Sequence, residues 1–156
     1  AEIKLWDATT WETRATLAGH DGGVTCVTFS PDGKSLASGS NDGKIKLWDT
    51  ATSEPLAALT GHSLGVTAIK LSPGGNFLLS VAKDRTVKLW DAEAGQLLKS
   101  LDGHAGWINS LALSADGKTV ATGSSDMTIR LWDLVIPEPG VEDASPKPAE
   151  PAAGKP

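Results

Sequence analysis

Short apolar runs of five or six residues alternate with turn sequences along most of the chain. The runs are rich in β-branched residues and show no helical period of about 3.6 residues. The turns contain Ser-Pro-Asp-Gly, Ser-Pro-Gly-Gly or Ser-Ala-Asp-Gly, in which Pro presets φ and Gly permits a positive φ. The pattern therefore predicts an all-β chain of short antiparallel strands. The predicted strands cover residues 3–6, 14–17, 24–29, 35–39, 54–59, 66–71, 77–82, 96–101, 108–113 and 119–123, together with the Lys-Leu-Trp-Asp runs.

One unit recurs along the chain every 42 residues. Trp6, Trp48, Trp90 and Trp132 each precede Asp in nearly identical contexts, and each lies 42 residues after the previous one. Gly-His pairs at 19–20, 61–62 and 103–104 keep the same spacing. A sheet of four short strands cannot cover both of its faces, so successive units must stack on one another.

The combination of Gly-His, Ser-Pro-Asp-Gly and Asp-Gly-Lys-Ile-Lys-Leu-Trp-Asp at this period resembles the WD-repeat β-propeller family. The resemblance covers residues 1 to about 133 and implies blades of four antiparallel strands, in an open arc of about three and a half blades. On this basis residues 1–136 form a propeller segment. It would comprise a partial blade at 1–18, blades at 19–60 and 61–102, and a last blade at 103–136 that lacks its outer strand.

Propellers of this family usually have about seven blades, so the resemblance also implies missing blades. We expect the chain to be the C-terminal piece of a longer propeller. The missing blades would come from the same longer chain or, as an alternative, from a second copy.

A polar quartet repeats at constant offsets: His, a hydroxyl residue, Asp and Trp. A search for hydrolases would notice Ser, His and Asp, but these hydroxyls lie within strands between apolar residues, whereas a nucleophile must be exposed beside an oxyanion hole. The resemblance implies a structural hydrogen-bond network in which Trp donates to the hydroxyl, the hydroxyl to His, and His to Asp. The three sets are His20, Ser38, Asp42 and Trp48; His62, Ser80, Asp84 and Trp90; and His104, Thr122, Asp126 and Trp132.

The resemblance also implies a partner-binding face, because WD-repeat propellers commonly bind peptides on the face that carries the Gly-His loops. Three positions per unit would point onto this face, and their residues vary between units. Trp107 stands out, because its equivalents Gly23 and Gly65 leave room for a large aromatic side chain. Trp107 is either an interface anchor or extra packing on the neighbouring unit. The predicted partner-binding residues are Gly23, Thr25, Asn41, Gly65, Thr67, Lys83, Trp107, Asn109 and Ser125.

Composition narrows the classes of ligand. The 14 Lys and Arg against 19 Asp and Glu give a net charge of −5 without any cluster of positive charge, which disfavours nucleic acid. A single cysteine, Cys26, excludes a disulfide framework and multi-cysteine metal patterns, and all three His belong to the quartets. No apolar run approaches the roughly 18 residues of a membrane span. We therefore expect no cofactor, no metal, no nucleic acid and no membrane partner.

The last 20 residues differ in composition from the rest. Six of the nine Pro lie in residues 137–156, among Ala and charged residues, so we predict a disordered Pro/Ala-rich tail.

These features predict a non-enzymatic protein–protein interaction scaffold, located in the cytoplasm, that presents loop residues to a protein or peptide ligand. An alternative stays open: the chain is a regulatory or sensor segment of a larger enzyme, for example a kinase-linked one, whose catalytic domain lies upstream. Fold alone does not name a partner.

Overall fold

The computed structural model describes residues 1–135, and within them every regular element is a β-strand. The all-β prediction is confirmed. The strand limits lie within one residue of the expected ones, except that β5 and β9 begin two residues before the predicted Lys-Leu-Trp-Asp runs. The predicted tail at 137–156 lies outside the described residues. The strands are β1 (Glu2–Trp6), β2 (Thr13–Ala18), β3 (Val24–Phe29), β4 (Ser35–Ser40), β5 (Lys44–Asp49), β6 (Pro55–Thr60), β7 (Val66–Leu71), β8 (Phe77–Ala82), β9 (Thr86–Asp91), β10 (Leu97–Asp102), β11 (Ile108–Leu113), β12 (Thr119–Ser124) and β13 (Ile129–Asp133).

The strands form four antiparallel sheets in which neighbours in sequence are neighbours in space. The first sheet is β1-β2, the second β3-β4-β5-β6, the third β7-β8-β9-β10 and the fourth β11-β12-β13. Because consecutive strands run in opposite directions, the Gly-His loops (19–23, 61–65 and 103–107) lie at the same end of the sheets as the turns at 41–43, 83–85 and 125–127. We call these turns the Asp turns and this end the loop face.

Turn geometry explains several residue choices. Gly33, Gly75 and Gly117 occupy equivalent turn positions with φ of 72°, 78° and 72°. In the Asp turns, Gly43 has a φ of 77°, and Arg85 and Met127 adopt the same left-handed backbone with φ of 71° and 66°. A non-glycine residue in this region costs roughly 1–2 kcal/mol. Two of the three Asp turns therefore carry a side chain where glycine would be less strained.

The hydrophobic core lies between the sheets, because strand residues alternate between the two faces. Leu36 of β4 packs with Leu17 and Trp48 towards the first sheet, whereas its neighbour Ala37 belongs to the cluster shared with the third sheet. In β8, Leu78 packs towards the second sheet and Leu79 towards the fourth. The third sheet is thus covered on both faces, which agrees with the stacking expected of repeated units.

The second and fourth sheets each leave apolar side chains uncovered. Val27 and Phe29 of β3 are exposed, as are Ile129 and Leu131 of β13. Within residues 1–135, β13 pairs only with β12. The four sheets therefore form an open arc.

Residues 1–135 contain no helix whose length and apolar character would allow it to cross a membrane.

Candidate functional site

A buried chain of hydrogen bonds runs through the third sheet from Trp90 to Asp84. Trp90 Nε1 donates to Ser80 Oγ at 2.8 Å, Ser80 Oγ lies 2.7 Å from His62 Nε2, and His62 Nδ1 lies 2.8 Å from Asp84 Oδ2. A carboxylate can only accept, so His62 Nδ1 donates a proton to Asp84, and in the tautomer that is protonated at Nδ1 alone, Nε2 accepts from the Ser80 hydroxyl. Every polar side-chain atom in this series of hydrogen bonds therefore has a partner.

The same series of hydrogen bonds occurs in the second and fourth sheets, with similar donor–acceptor distances. Thr122 takes the place of serine in the fourth sheet, where its hydroxyl fills the same two roles. The distances from Trp to hydroxyl, hydroxyl to His and His to Asp are 2.8, 2.8 and 3.0 Å for Trp48, Ser38, His20 and Asp42, and 2.8, 2.8 and 2.8 Å for Trp132, Thr122, His104 and Asp126.

The Asp of each network also holds two loops together. Asp84 Oδ2 accepts from the backbone N–H of Ser63 at 3.0 Å, and Oδ1 accepts from the N–H and hydroxyl of Thr86 at 3.1 and 2.8 Å. Asp42 and Asp126 bond equivalent backbone groups in their own sheets. Each Gly-His loop is therefore anchored to the Asp turn of its own sheet.

The network leaves no hydroxyl available for catalysis at these positions. Ser38 and Ser80 are fully buried, and Thr122 is 1% exposed. Each hydroxyl already accepts from an indole and donates to an imidazole, so it can neither meet a substrate nor be activated as a nucleophile. Among residues 1–135, no group of three or more His, Cys, Asp or Glu side chains is close enough together to hold a metal ion.

Hydrogen bonding determines the ionisation of the network carboxylates. Burial acts to raise the pKa of Asp84, but hydrogen bonds from His62 and Thr86 to the charged form outweigh it and lower the pKa to about 2. Burial likewise acts to raise the pKa of Asp42. Hydrogen bonds from the backbone N–H of Lys44, the His20 side chain and the backbone N–H of Asp21 outweigh it, so this pKa also falls to about 2. The Thr128 hydroxyl is the largest influence at Asp126 and lowers its pKa as well. All three carboxylates are therefore held in their ionised form.

We expect this ionisation to set the acid stability of the protein. A carboxylate whose pKa is lower in the folded than in the unfolded state stabilises the fold above the unfolded pKa, here about 3.8, and loses that contribution as the pH falls towards about 2. The urea midpoint should therefore drop between about pH 4 and pH 2. Carbon NMR of the Asp42 and Asp84 carboxyls in the folded protein should show ionised groups through most of this range, and midpoints near 3.8 would contradict the expectation.

The nine predicted partner-binding residues do not all present free side chains on the loop face. Thr25 Oγ1 donates to the backbone carbonyl of Val66 in the next sheet at 2.6 Å, sharing its proton with Gly39 O at 3.0 Å. Thr67 makes the equivalent bonds to Ile108 O and, at 3.0 Å, to Val81 O. These two hydroxyls connect adjacent sheets, so their hydrogen-bonding capacity is used within the fold.

Gly65 is also unavailable to a partner. It is buried, and a Cβ there would lie 2.9 Å from Asn41 Oδ1 and 3.0 Å from Asn41 Cα. The expectation that Gly65 leaves room for a large side chain is therefore wrong, because the Asp turn of the preceding sheet fills that space. Gly23 does have room, since the nearest atom to its Cβ would be Asn41 Nδ2 at 3.5 Å.

The remaining predicted residues meet around Trp107. Lys83 Nζ lies 5.6 Å from the centroid of the Trp107 ring and 3.4 Å from Asn41 Oδ1. In the fourth sheet, Asn109 Nδ2 donates to Ser125 Oγ at 2.9 Å. Trp107 both packs against the neighbouring sheet through Lys83 and remains 53% exposed, so the two alternatives for this residue are compatible.

A groove with a volume of about 630 Å³ opens on the loop face between the third and fourth sheets. We call it the Trp107 groove. Sequence reasoning missed Leu64 and Arg85, although both differ from their equivalents in the repeat: Leu64 replaces Gly22 and Gly106, and Arg85 replaces Gly43 and Met127. The lining of the Trp107 groove includes Leu64, Lys83, Asp84, Arg85, Trp107 and Ser125.

Comparison with known proteins identifies a family, and the matches to individual relatives are short. Residues 11–49, 53–91 and 95–133 each match the family model described as WD domain, G-beta repeat. The chain is 70% identical over 27 residues to a Notchless protein homolog of Arabidopsis thaliana, a match covering 17% of the chain and 6% of the relative. It is 46% identical over 41 residues to the small ribosomal subunit protein RACK1y of Oryza sativa subsp. japonica, covering 26% of the chain and 12% of the relative. The chain therefore matches only a small part of the length of either relative.

Proposed function

The chain belongs to the WD-repeat family, and from that premise we propose that it is a non-enzymatic scaffold that binds a protein or peptide partner on its loop face. WD-repeat domains commonly serve as protein-interaction scaffolds. The names of the two relatives do not describe enzymes, although each match is short. This supports an interaction role over a catalytic one.

One observation carries the proposal. The buried polar quartets hold the loops of the loop face in place, whereas the exposed side chains of those loops differ between units. Asp84 bonds both the Gly-His loop and the Asp turn of its sheet, so loop side chains are held in place before any partner arrives. Preorganised surfaces bind more tightly because little conformational entropy is lost. The exposed Trp107 is the kind of residue that anchors protein interfaces.

The proposed contact set follows from the placement of the side chains. It keeps Gly23, Asn41, Lys83, Trp107, Asn109 and Ser125, and omits Thr25, Thr67 and Gly65, which the fold itself uses.

The propeller organisation and location also form part of the proposal. We propose that residues 1–136 are a propeller segment with units divided at 18, 60 and 102, and that further blades of the same longer chain or of a second copy cover the exposed apolar residues of β3 and β13. A cytoplasmic location accompanies this scaffold role, and similarity to a protein named for the small ribosomal subunit is compatible with it.

Selection of peptides from a random displayed library tests this function. We expect the selected peptides to bind on the loop face and to lose about 30-fold in affinity on Trp107→Ala, because truncating an aromatic anchor costs about 2 kcal/mol or more. Asn76→Ala is the control, since Asn76 is exposed in the turn between β7 and β8 at the opposite end of the sheets. Failure to select any peptide would overturn the proposal. So would selected peptides whose affinity falls on Asn76→Ala but does not change on Trp107→Ala.

A further inference from the structure

We propose that the Trp107 groove binds an acidic peptide segment in which carboxylate side chains flank a bulky apolar residue. This inference rests on the proposed function and adds the chemistry of the partner. It is carried by four features of the groove: its cations, its apolar walls, its rigid frame and its difference from the neighbouring junction.

Two cations line the groove without a carboxylate partner. Within residues 1–135, no Asp or Glu lies within salt-bridge distance of Lys83 or Arg85. Asp84 stands between them in sequence, but its side chain is only 6% exposed, and its oxygens accept from His62, Ser63 and Thr86. The charge that the groove offers to a ligand is therefore positive, although the chain as a whole carries −5. Charges beyond about 8–10 Å are largely screened at physiological ionic strength, so the local pair decides which ligand is attracted.

Two apolar side chains form the walls. Leu64 is 51% exposed and Trp107 is 53% exposed, and both line the groove. Exposed apolar groups that face a shared cleft are typical of binding sites, because covering them removes apolar surface from water. The Lys83 ammonium near the Trp107 ring places a positive charge beside this apolar surface. An apolar residue with an adjacent carboxylate is complementary to that arrangement.

Backbone hydrogen bonds hold both walls in place. Lys83 N donates to Gly65 O at 3.0 Å, which ties the loop of Leu64 to the Asp turn of the third sheet. Ser125 N donates to Trp107 O at 2.8 Å and does the same in the fourth sheet. The Asp84 and Asp126 networks fix the bases of these loops. The groove is therefore formed before a ligand binds.

The adjoining junction provides an internal comparison. Between the second and third sheets, the residues equivalent to the groove's apolar walls and cations are small or neutral. Both cations and both walls of the groove are thus absent there, although the backbone repeat is the same. The combination belongs to one junction and is not a consequence of the fold. The pairs are Gly22 for Leu64, Asn41 for Lys83, Gly43 for Arg85 and Gly65 for Trp107.

Fluorescence anisotropy with labelled synthetic peptides of about nine residues tests the inference. The probe has an Asp-Phe-Asp centre, and its two matched partners have Lys-Phe-Lys and Asp-Gly-Asp centres. We expect the Asp-Phe-Asp peptide to bind at least tenfold more tightly than either partner, and its affinity to fall as salt rises. Equal binding of the Lys-Phe-Lys peptide, or tighter binding of a single-stranded oligonucleotide, would overturn the proposal.

Charge reversal in the protein supplies the second arm. The double variant Lys83→Glu/Arg85→Glu should lose at least tenfold in affinity for the Asp-Phe-Asp peptide and gain affinity for the Lys-Phe-Lys peptide. Lys34→Glu is the control, because Lys34 lies in the turn between β3 and β4 at the end of the sheets opposite the loop face. It should change the affinity for neither peptide. Circular dichroism checks folding, and Lys83→Gln/Arg85→Gln replaces the first variant if it unfolds. If displayed peptides depend on Trp107 but not on Lys83 and Arg85, the scaffold function stands and the acidic partner is wrong.

Discussion

Replacing Asp84 by alanine is expected to lower the free energy of unfolding by about 2–4 kcal/mol. The substitution removes the carboxylate acceptor of His62 Nδ1, whose side chain is 0% exposed, and leaves only the more distant Thr86 hydroxyl at 3.3 Å as a partner. It also removes the acceptor of the Ser63 and Thr86 N–H groups, which releases the Gly-His loop from the Asp turn. Urea unfolding followed by tryptophan fluorescence measures the change.

Two controls separate the network from a general effect of removing charge. Asp21→Ala removes a carboxylate that pairs with Lys44 at 2.9 Å at the surface, and it should cost no more than about 1 kcal/mol, as exposed ion pairs do. Asp84→Asn keeps one acceptor oxygen for His62 and should lie between wild type and Asp84→Ala. A loss on Asp84→Ala no greater than that on Asp21→Ala would show that the network does not stabilise the fold.

The sequence predicts the strands and the order of the network well, because both follow from local spacing within one unit. The 42-residue period aligns equivalent positions without insertions, so a turn recognised in one unit locates the turn in the others. All four residues of a quartet come from one 42-residue unit. The sequence offsets between them are the same in every unit, as in the set of His20, Ser38, Asp42 and Trp48. Strand limits differ by one residue or, where β5 and β9 begin, by two, because residues at strand ends join or leave the ladder.

Contacts between sheets are less predictable, since a repeat defines equivalent positions but not which atoms of the next unit approach them. Thr25 bonds the carbonyl of Val66, 41 residues further on, and this contact depends on how closely the sheets stack. Gly65 is required because Asn41 of the preceding sheet lies against it. The Trp107 groove likewise combines side chains from two units, so it becomes recognisable only when adjacent sheets are placed together.

Replacing Ser80 by alanine is expected to cost about 2–5 kcal/mol, because a single hydroxyl serves two buried partners. Trp90 Nε1 loses its acceptor and His62 Nε2 loses its donor, and each unsatisfied buried group costs about 1–3 kcal/mol. Removing one oxygen atom leaves too little volume for a water molecule to restore both bonds with good geometry. Urea unfolding and thermal melting of the variant measure the loss.

The repeat itself provides the matched control for this prediction. Thr122 fills the role of Ser80 in the fourth sheet, so Ser80→Thr keeps the hydroxyl and should cost less than about 1.5 kcal/mol for its added methyl group. In the fourth sheet, Thr122→Val removes the hydroxyl at nearly constant volume, whereas Thr122→Ser keeps it. We expect Val to be the more destabilising of these two changes, because it leaves His104 and Trp132 without a partner, whereas Ser loses only a methyl group. If Ser80→Ala matches Ser80→Thr, and Thr122→Val matches Thr122→Ser, then packing at these positions stabilises the sheets and the hydrogen bonds do not.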